Sequence, residues 1–174
     1  MIEIVQAESE SQIESAKTLF REYESWSEMD LCFQGFEEEL HGLPGKYAKP
    51  AGRLLLAYSD GDLAGCIAMR KLEDRVCEMK RLYVRGGFRG QKIGVQLIEK
   101  LIEEAKREGY AKMRLDTFPS KMGKAVSLYE THGFYQIPPY YENPYDGVLF
   151  LEKKLDWLAL AALTGIFSSS IAVW

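Results

Sequence analysis

A chain of 174 residues with 47% hydrophobic and 28% charged side chains has the size and composition of one globular domain that can bury a core without staples. Its formal net charge of −4 argues against nucleic acid as the main partner, because phosphate neutralisation wants a basic surface, so any anion site must be a local island of positive charge. Three cysteines (Cys32, Cys66, Cys77) lie too far apart for a metal or redox motif, and His41 and His132 have no carboxylate or cysteine at ligand spacing, so no metal site is expected.

The first residues, "MIEIVQAESESQ", hold no basic segment followed by an apolar block, so no secretory leader is expected. With cysteines expected to be reduced and mostly buried, the compartment reads as cytoplasmic. "IEIVQA" (2–7) alternates as a strand. Ile13, Ala16, Leu19, Phe20 and Tyr23 then recur at helical spacing, with Ser9 or Ser11 as the cap. Residues 27–50 are irregular and acidic, with one short helical piece near "GFEEELHGL". "GRLLLAYSDGDLAGCIAMRKL" reads as two strands across an Asp60-Gly61 turn, and "DRVCEMKRLYV" (74–84) as a third strand of the same meander. Plain alternation puts Val76, Glu78, Lys80, Leu82 and Val84 on one face of that strand. A helix follows from about Gln91 to Glu108, with Ile93, Leu97, Ile98, Leu101, Ile102 and Ala105 as its apolar face. "AKMRLDTF" is a strand, "KMGKAVSLYETHG" a helix ended by Gly133, and "FYQIPPYYENPYDGVLFLEKKL" two strands around a loop rich in proline and tyrosine. The order βα(α)βββαβαββ predicts an α/β (α+β) fold, a single mixed, mostly antiparallel central sheet flanked by helices.

The stretch "RLYVRGGFRGQKIG" (81–94) breaks from strand into glycines and cations just before the long helix. The first turn of a helix has unpaired N–H groups and partial positive charge, and Gly90 and Gly94 let backbone come near a bulky anion. Between Glu78 and Glu99 the charged residues are Lys80, Arg81, Arg85, Arg89 and Lys92, all cationic. This is the local island that the net charge required. The pattern is neither G-x-x-x-x-G-K-[ST] nor G-x-G-x-x-G. It points to a phosphate-bearing ligand without naming a reaction, and a plain turn before a solvated helix start has the same spacing.

"CEMKRLYVRGGFRGQKIGVQLIEKLIEEAKREG" followed by "AVSLYETHGFYQI" resembles the GNAT superfamily of acyl-CoA N-acyltransferases, and the resemblance spans roughly residues 2–155. The family's R/Q-x-x-G-x-G/A motif reads here Arg89-Gly90-Gln91-Lys92-Ile93-Gly94, and its L-Y-x-x-x-G-F helix reads Leu128-Tyr129 with Gly133-Phe134. The resemblance implies an N-acetyltransferase that moves an acetyl group from acetyl-CoA to a primary amine by direct attack in a ternary complex. It implies pyrophosphate binding by Arg89–Gly94 and pairing of the backbone of Leu82, Tyr83 and Val84 with the pantetheine arm. It makes Tyr129 the acid at the departing sulfur and Glu78, eleven residues before Arg89, the base. A strand glutamate paired with a neighbouring lysine or arginine is the other reading of Glu78. Two positions depart from the family: Lys92 stands at the middle glycine, and Met122 where an asparagine often meets the pantetheine arm. They motivate the alternative of a catalytically silent acyl-CoA-binding sensor or assembly module.

The acceptor pocket is expected from residues 27–45 and from "PPYYENPYDG" (138–147), with Tyr140, Tyr141 and Tyr145 as an aromatic wall and Glu38, within the Glu37–Glu39 run, attracting a cation. On that reading the acceptor is a positively charged small-molecule or peptide amine; surface acids and core tyrosines are the plainer reading. The N-acetyltransferase domain is assigned to 1–155, leaving 156–174 as an apolar tail. From Trp157 to Trp174 the tail has no charge, yet its serines, threonine and glycine weaken a membrane span. It is expected to pack on its own domain or on a second copy in a homodimer, or to be a non-native extension.

Overall fold

Strand β1 (Ile2–Gln6) gives way to a reciprocal helix cap: Ser9 Oγ accepts from the Gln12 amide, and the Gln12 side chain accepts from the Ser9 amide. Helix α1 (Glu10–Ser27) buries the expected stripe of Ile13, Ala16, Leu19 and Phe20. The computed structural model describes residues 1–28, 30–32 and 35–155; the 156–174 stretch and the side chain of Met122 lie outside the described residues. A short helix α2 (Phe36–His41) buries Phe36 and Leu40. Strands β2 (Arg53–Ser59), β3 (Asp62–Glu73) and β4 (Val76–Val84) form the antiparallel meander. Asp60 and Gly61 take φ of 50° and 91°, the positive pair that a tight two-residue hairpin turn requires.

Helix α3 (Ile93–Arg107) buries all six residues of its predicted apolar face. It begins two residues later than the periodicity suggests, because Lys92 is its cap, in left-handed conformation at φ 60°. After β5 (Lys112–Thr117), helix α4 (Pro119–Thr131) begins earlier than predicted, since a proline in the first turn loses no hydrogen bond there. β6 (Tyr135–Ile137) and β7 (Leu149–Lys154) complete the chain's described elements. The seven strands form one sheet in the order β1-β2-β3-β4-β5-β7-β6, antiparallel at each join except the parallel β4–β5 pair. One core lies between the sheet and α3, around Ile67, Met69, Leu97, Leu101 and Met113; the other lies under α1 and α2, around Leu19, Phe20, Phe36, Leu54 and Leu56. No helix among the described residues is long and apolar enough to cross a membrane.

Two irregularities in β4 set up the site. Its register with β5 covers only Val76, Cys77 and Glu78. Against β3, the pairs Cys66↔Tyr83 and Ala68↔Lys80 leave one extra residue in β4, and Arg81 within that interval has a φ of 59°. Such a bulge switches the facing of everything beyond it. Cys77 and Met79 face the α3 core, and so do Leu82 and Val84, while Tyr83 packs on the α1 side. The single face expected for Val76, Glu78, Lys80, Leu82 and Val84 is therefore broken: Leu82 and Val84 lie opposite Glu78 and Lys80.

Arg81 is buried against Glu39 of α2 (Nε to Oε1, 2.9 Å), over the ring of Phe36, and Lys46 also reaches Glu39 at 2.9 Å. Burial alone would raise the Glu39 carboxyl, but the charges of Arg81 and Lys46 outweigh it and hold the group below its ordinary value. A depressed carboxylate stabilises the fold above its unfolded pKa, and this contribution is lost as pH falls through the folded value. Glu39→Gln, which leaves Arg81 buried without its counter-charge, is expected to lower stability by about 3 kcal/mol at neutral pH. In urea unfolding its deficit should shrink below about pH 4, where the parent carboxylate begins to protonate.

Candidate active site

Beyond Glu78, β4 keeps β3 along one edge and has no strand among the described residues along the other, while β5 runs on through Leu115, Asp116 and Thr117 into α4. The two parallel strands thus open like a fork. In the opening lies a cavity of about 70 Å³, lined by Lys80 and Leu82 of β4, Asp116 of β5, Ala125 and Tyr129 of α4, and Trp26 of α1.

Tyr129 is 6% exposed, with its ring edge-on to Phe134 at 5.8 Å. Its hydroxyl has no hydrogen-bond partner among the described residues. Burial raises the phenol above its ordinary value, so it remains a protonated donor on a residue that lines the cavity. Gly133 ends α4 behind it at φ 81°.

Glu78 is fully buried and both its oxygens are engaged: Oε2 accepts from Arg70 Nε at 2.6 Å, and Oε1 from the Tyr140 hydroxyl at 2.8 Å. The strand-pair reading of Glu78 therefore describes its contacts. It does not line the cavity that Tyr129 lines. Asp116, which the sequence reading passed over, does. Its Oδ1 accepts from Lys80 Nζ at 3.0 Å and its Oδ2 from the Tyr141 hydroxyl at 2.8 Å, with Asn143 donating to Tyr141. Burial works against the Asp116 charge, yet Lys80 and Tyr141 hold its carboxyl below the ordinary range. A signal was available in "RLDTF", the one acid in a strand whose other charged residues, Lys112 and Arg114, are cations, placed at the strand's end before a helix.

The three tyrosines of the 138–147 loop act as clasps. Tyr140 and Tyr141 pack edge-on to Phe150 at 5.1 and 5.2 Å, and burial followed by the Glu78 and Asp116 charges raises their phenols. Tyr145 accepts from the Asp30 amide at 2.9 Å, tying this loop to the segment after α1, and its ring meets Phe118. The acidic run differs from expectation. Glu37 is paired with Arg21 and Glu39 is buried with Arg81 and Lys46; Glu38 is exposed and lines a separate depression with Gly35, Gly42 and Lys46. Among the described residues no block of free negative charge faces the cavity, because Glu39 and Asp116 each meet a cation from another element.

The cationic island is likewise smaller than its sequence. Lys80 pairs with Asp116, Arg81 with Glu39, and Arg85 with Glu22 through two nitrogens. Arg89 and Lys92 remain, among the described residues, without a carboxylate. Arg89 stacks over Trp26 at 5.2 Å and donates to the Val84 carbonyl at 3.3 Å. Gly90 (φ 87°) and Lys92 bring the chain into α3 with no side-chain cap, so the amides of Ile93, Gly94 and Val95 stay unpaired at the positive end of a 15-residue helix. The Gln91 side-chain oxygen accepts from Ser59, which leaves its exposed amide nitrogen to donate, whereas Ile93 is buried and offers a ligand only backbone. A Cβ on Gly94 would touch Val84 and Leu128 at 3.8 and 3.9 Å, placing this residue where β4, α3 and α4 meet.

Residues 13–134 match the profile of the acetyltransferase (GNAT) family. An uncharacterized N-acetyltransferase of Dictyostelium discoideum is 34% identical, covering 85% of this chain and 97% of that protein. One of Schizosaccharomyces pombe is 38% identical, over 82% and 88% respectively. The structure of the PaiA N-acetyltransferase from Thermoplasma acidophilum in complex with coenzyme A superposes with a TM-score of 0.68 at 22% identity, over 88% of this chain and 99% of that one. The chain belongs to the GNAT acetyltransferase family. It is an N-acetyltransferase.

Because the Tyr129 hydroxyl has no partner among the described residues, Tyr129→Phe is expected to change unfolding free energy by less than about 1 kcal/mol in a denaturant titration.

Proposed function

We propose that this enzyme transfers an acetyl group from acetyl-CoA to a primary amine by direct attack in a ternary complex. The observation that carries this reading is the forked β4–β5 join with an unpartnered, protonated tyrosine lining it. The residues present suit the donor. Leu82, Tyr83 and Val84 lie on the unpaired edge of β4, where backbone N–H and C=O groups can pair with the amides of the pantetheine arm as an added strand would. The free amides of Ile93, Gly94 and Val95, with Arg89 and Lys92, suit its pyrophosphate. Acetyl-CoA supplies an activated acyl carbon.

The chain's own groups then handle protons. An alkyl ammonium of pKa near 10.4 needs about 4–5 kcal/mol to lose its proton at pH 7. Glu78, with the Tyr140 hydroxyl that donates to it, is the proton acceptor in this reading; neither lines the cavity of Tyr129, so the first amine proton reaches Glu78 through bridging water and passes from there to solvent. As the C–N bond forms and the C–S bond breaks, Tyr129 gives its proton to the departing sulfur and is reprotonated by the second amine proton. One proton is released per turnover, and charge and atoms balance. A backbone N–H of the unpaired β4 edge is offered to the carbonyl oxygen that gains charge.

Thiol release from acetyl-CoA across a panel of amines tests this. Tyr129→Phe is expected to lower kcat by 10²-fold or more with little change in KM for acetyl-CoA, in line with loss of a general acid. Arg89→Ala combined with Lys92→Ala should raise that KM by about tenfold or more and leave kcat nearly unchanged. Full activity in Tyr129→Phe, or no thiol release with any amine, would contradict the proposal.

A further inference from the structure

We infer, building on the acetyltransferase reading, that the Lys80–Asp116 ion pair selects an acceptor with a carboxylate beside its amine, the ammonium going to Asp116 and the carboxylate to Lys80. The pair sits where β4 and β5 part, and both residues line the cavity of Tyr129. Their side chains are 9% and 8% exposed, with 3.0 Å between Nζ and Oδ1. A buried ion pair is weak evidence for stability, since apolar residues of similar volume hold a fold as well. Its presence on a cavity wall calls for another reason.

The neighbouring charges supply that reason. Arg81 is matched by Glu39, Arg70 by Glu78 and Arg85 by Glu22, each pair closed within the protein. Among the described residues the cavity therefore offers one cation and one anion that face a ligand, with no surplus of either sign. A polyamine would bring positive charges without partners, whereas an amino acid brings one charge of each sign and replaces one ion pair by two. The two members are also unequally fixed. Asp116 is anchored at Oδ2 by Tyr141, which Asn143 holds in turn, so the carboxylate stays in place when Lys80 swings on its flexible stem toward a ligand carboxylate. A cavity of about 70 Å³ admits a small polar head, with Trp26 at its rim to meet the acceptor's side chain.

The full-length protein is assayed for thiol release from acetyl-CoA with alanine, leucine and phenylalanine, with the amide of each, and with a diamine. The expected result is a kcat/KM at least tenfold higher for the acids than for their amides. Lys80→Met should then lower the acid values much more than the amide values and bring the acid-to-amide ratio near one. Lys80→Arg should keep much of the preference. The wild-type ratio decides the question even if a variant fails to fold. Equal or better use of the amides, preference for the diamine, or a Lys80→Met loss shared equally by acid and amide would overturn the inference while leaving the acetyltransferase reading intact. Absence of turnover with every amine would overturn that reading and this inference with it.

Discussion

The structure depends on β4 leaving its parallel partner after three residues. Val76, Cys77 and Glu78 pair with β5, and the rest of β4 faces no strand among the described residues on that edge. An exposed strand edge has unsatisfied backbone groups and needs something to hold it in place. Here the restraint comes from side chains. Arg81 sits in a left-handed bulge and is locked to Glu39 of α2, and Arg85 closes the far end by gripping Glu22 of α1. Ion pairs across the sheet face thus do the positioning that a neighbouring strand would otherwise do. They leave the edge itself open for a ligand.

The same constraint explains the charge pattern. A run of five cations in a chain of net charge −4 looks like an anion site. Three of the five have structural partners, each on a different element: Asp116 on β5, Glu39 on α2 and Glu22 on α1. Among the described residues, what is left for the phosphate of the proposed donor is Arg89, Lys92 and the open first turn of α3. A site assembled this way combines two cations with oriented backbone amides, so a net negative protein can still attract a pyrophosphate locally.

The helices and the hairpin were legible because they follow local rules: apolar residues at helical spacing in α1 and α3, a serine cap at Ser9, and a two-residue turn at Asp60-Gly61. The glycine-containing turn and the Leu128-Tyr129 helix also carried the family resemblance, because glycine and tyrosine there answer to backbone approach and to the cavity. The bulge at Arg81 was not legible, since nothing in the residue type forecasts a positive φ and strict alternation assigns Leu82 and Val84 to the wrong face. Nor were the ion pairs. Lys80 and Asp116 are 36 residues apart, Arg81 and Glu39 are 42, and Arg85 and Glu22 are 63, so their meeting is a product of topology. For the same reason the Glu37–Glu39 run, acidic in sequence, offers the cavity no free charge.

Hydrogen exchange of the full chain with and without acetyl-CoA addresses the unpaired edge of β4 directly. The predicted result is slower exchange at Leu82–Val84 and at Ile93–Val95 on adding acetyl-CoA, with Val76–Glu78, already paired to β5, unchanged. Protection confined to other segments, or no protection at all under conditions where acetyl-CoA binds, would contradict the account.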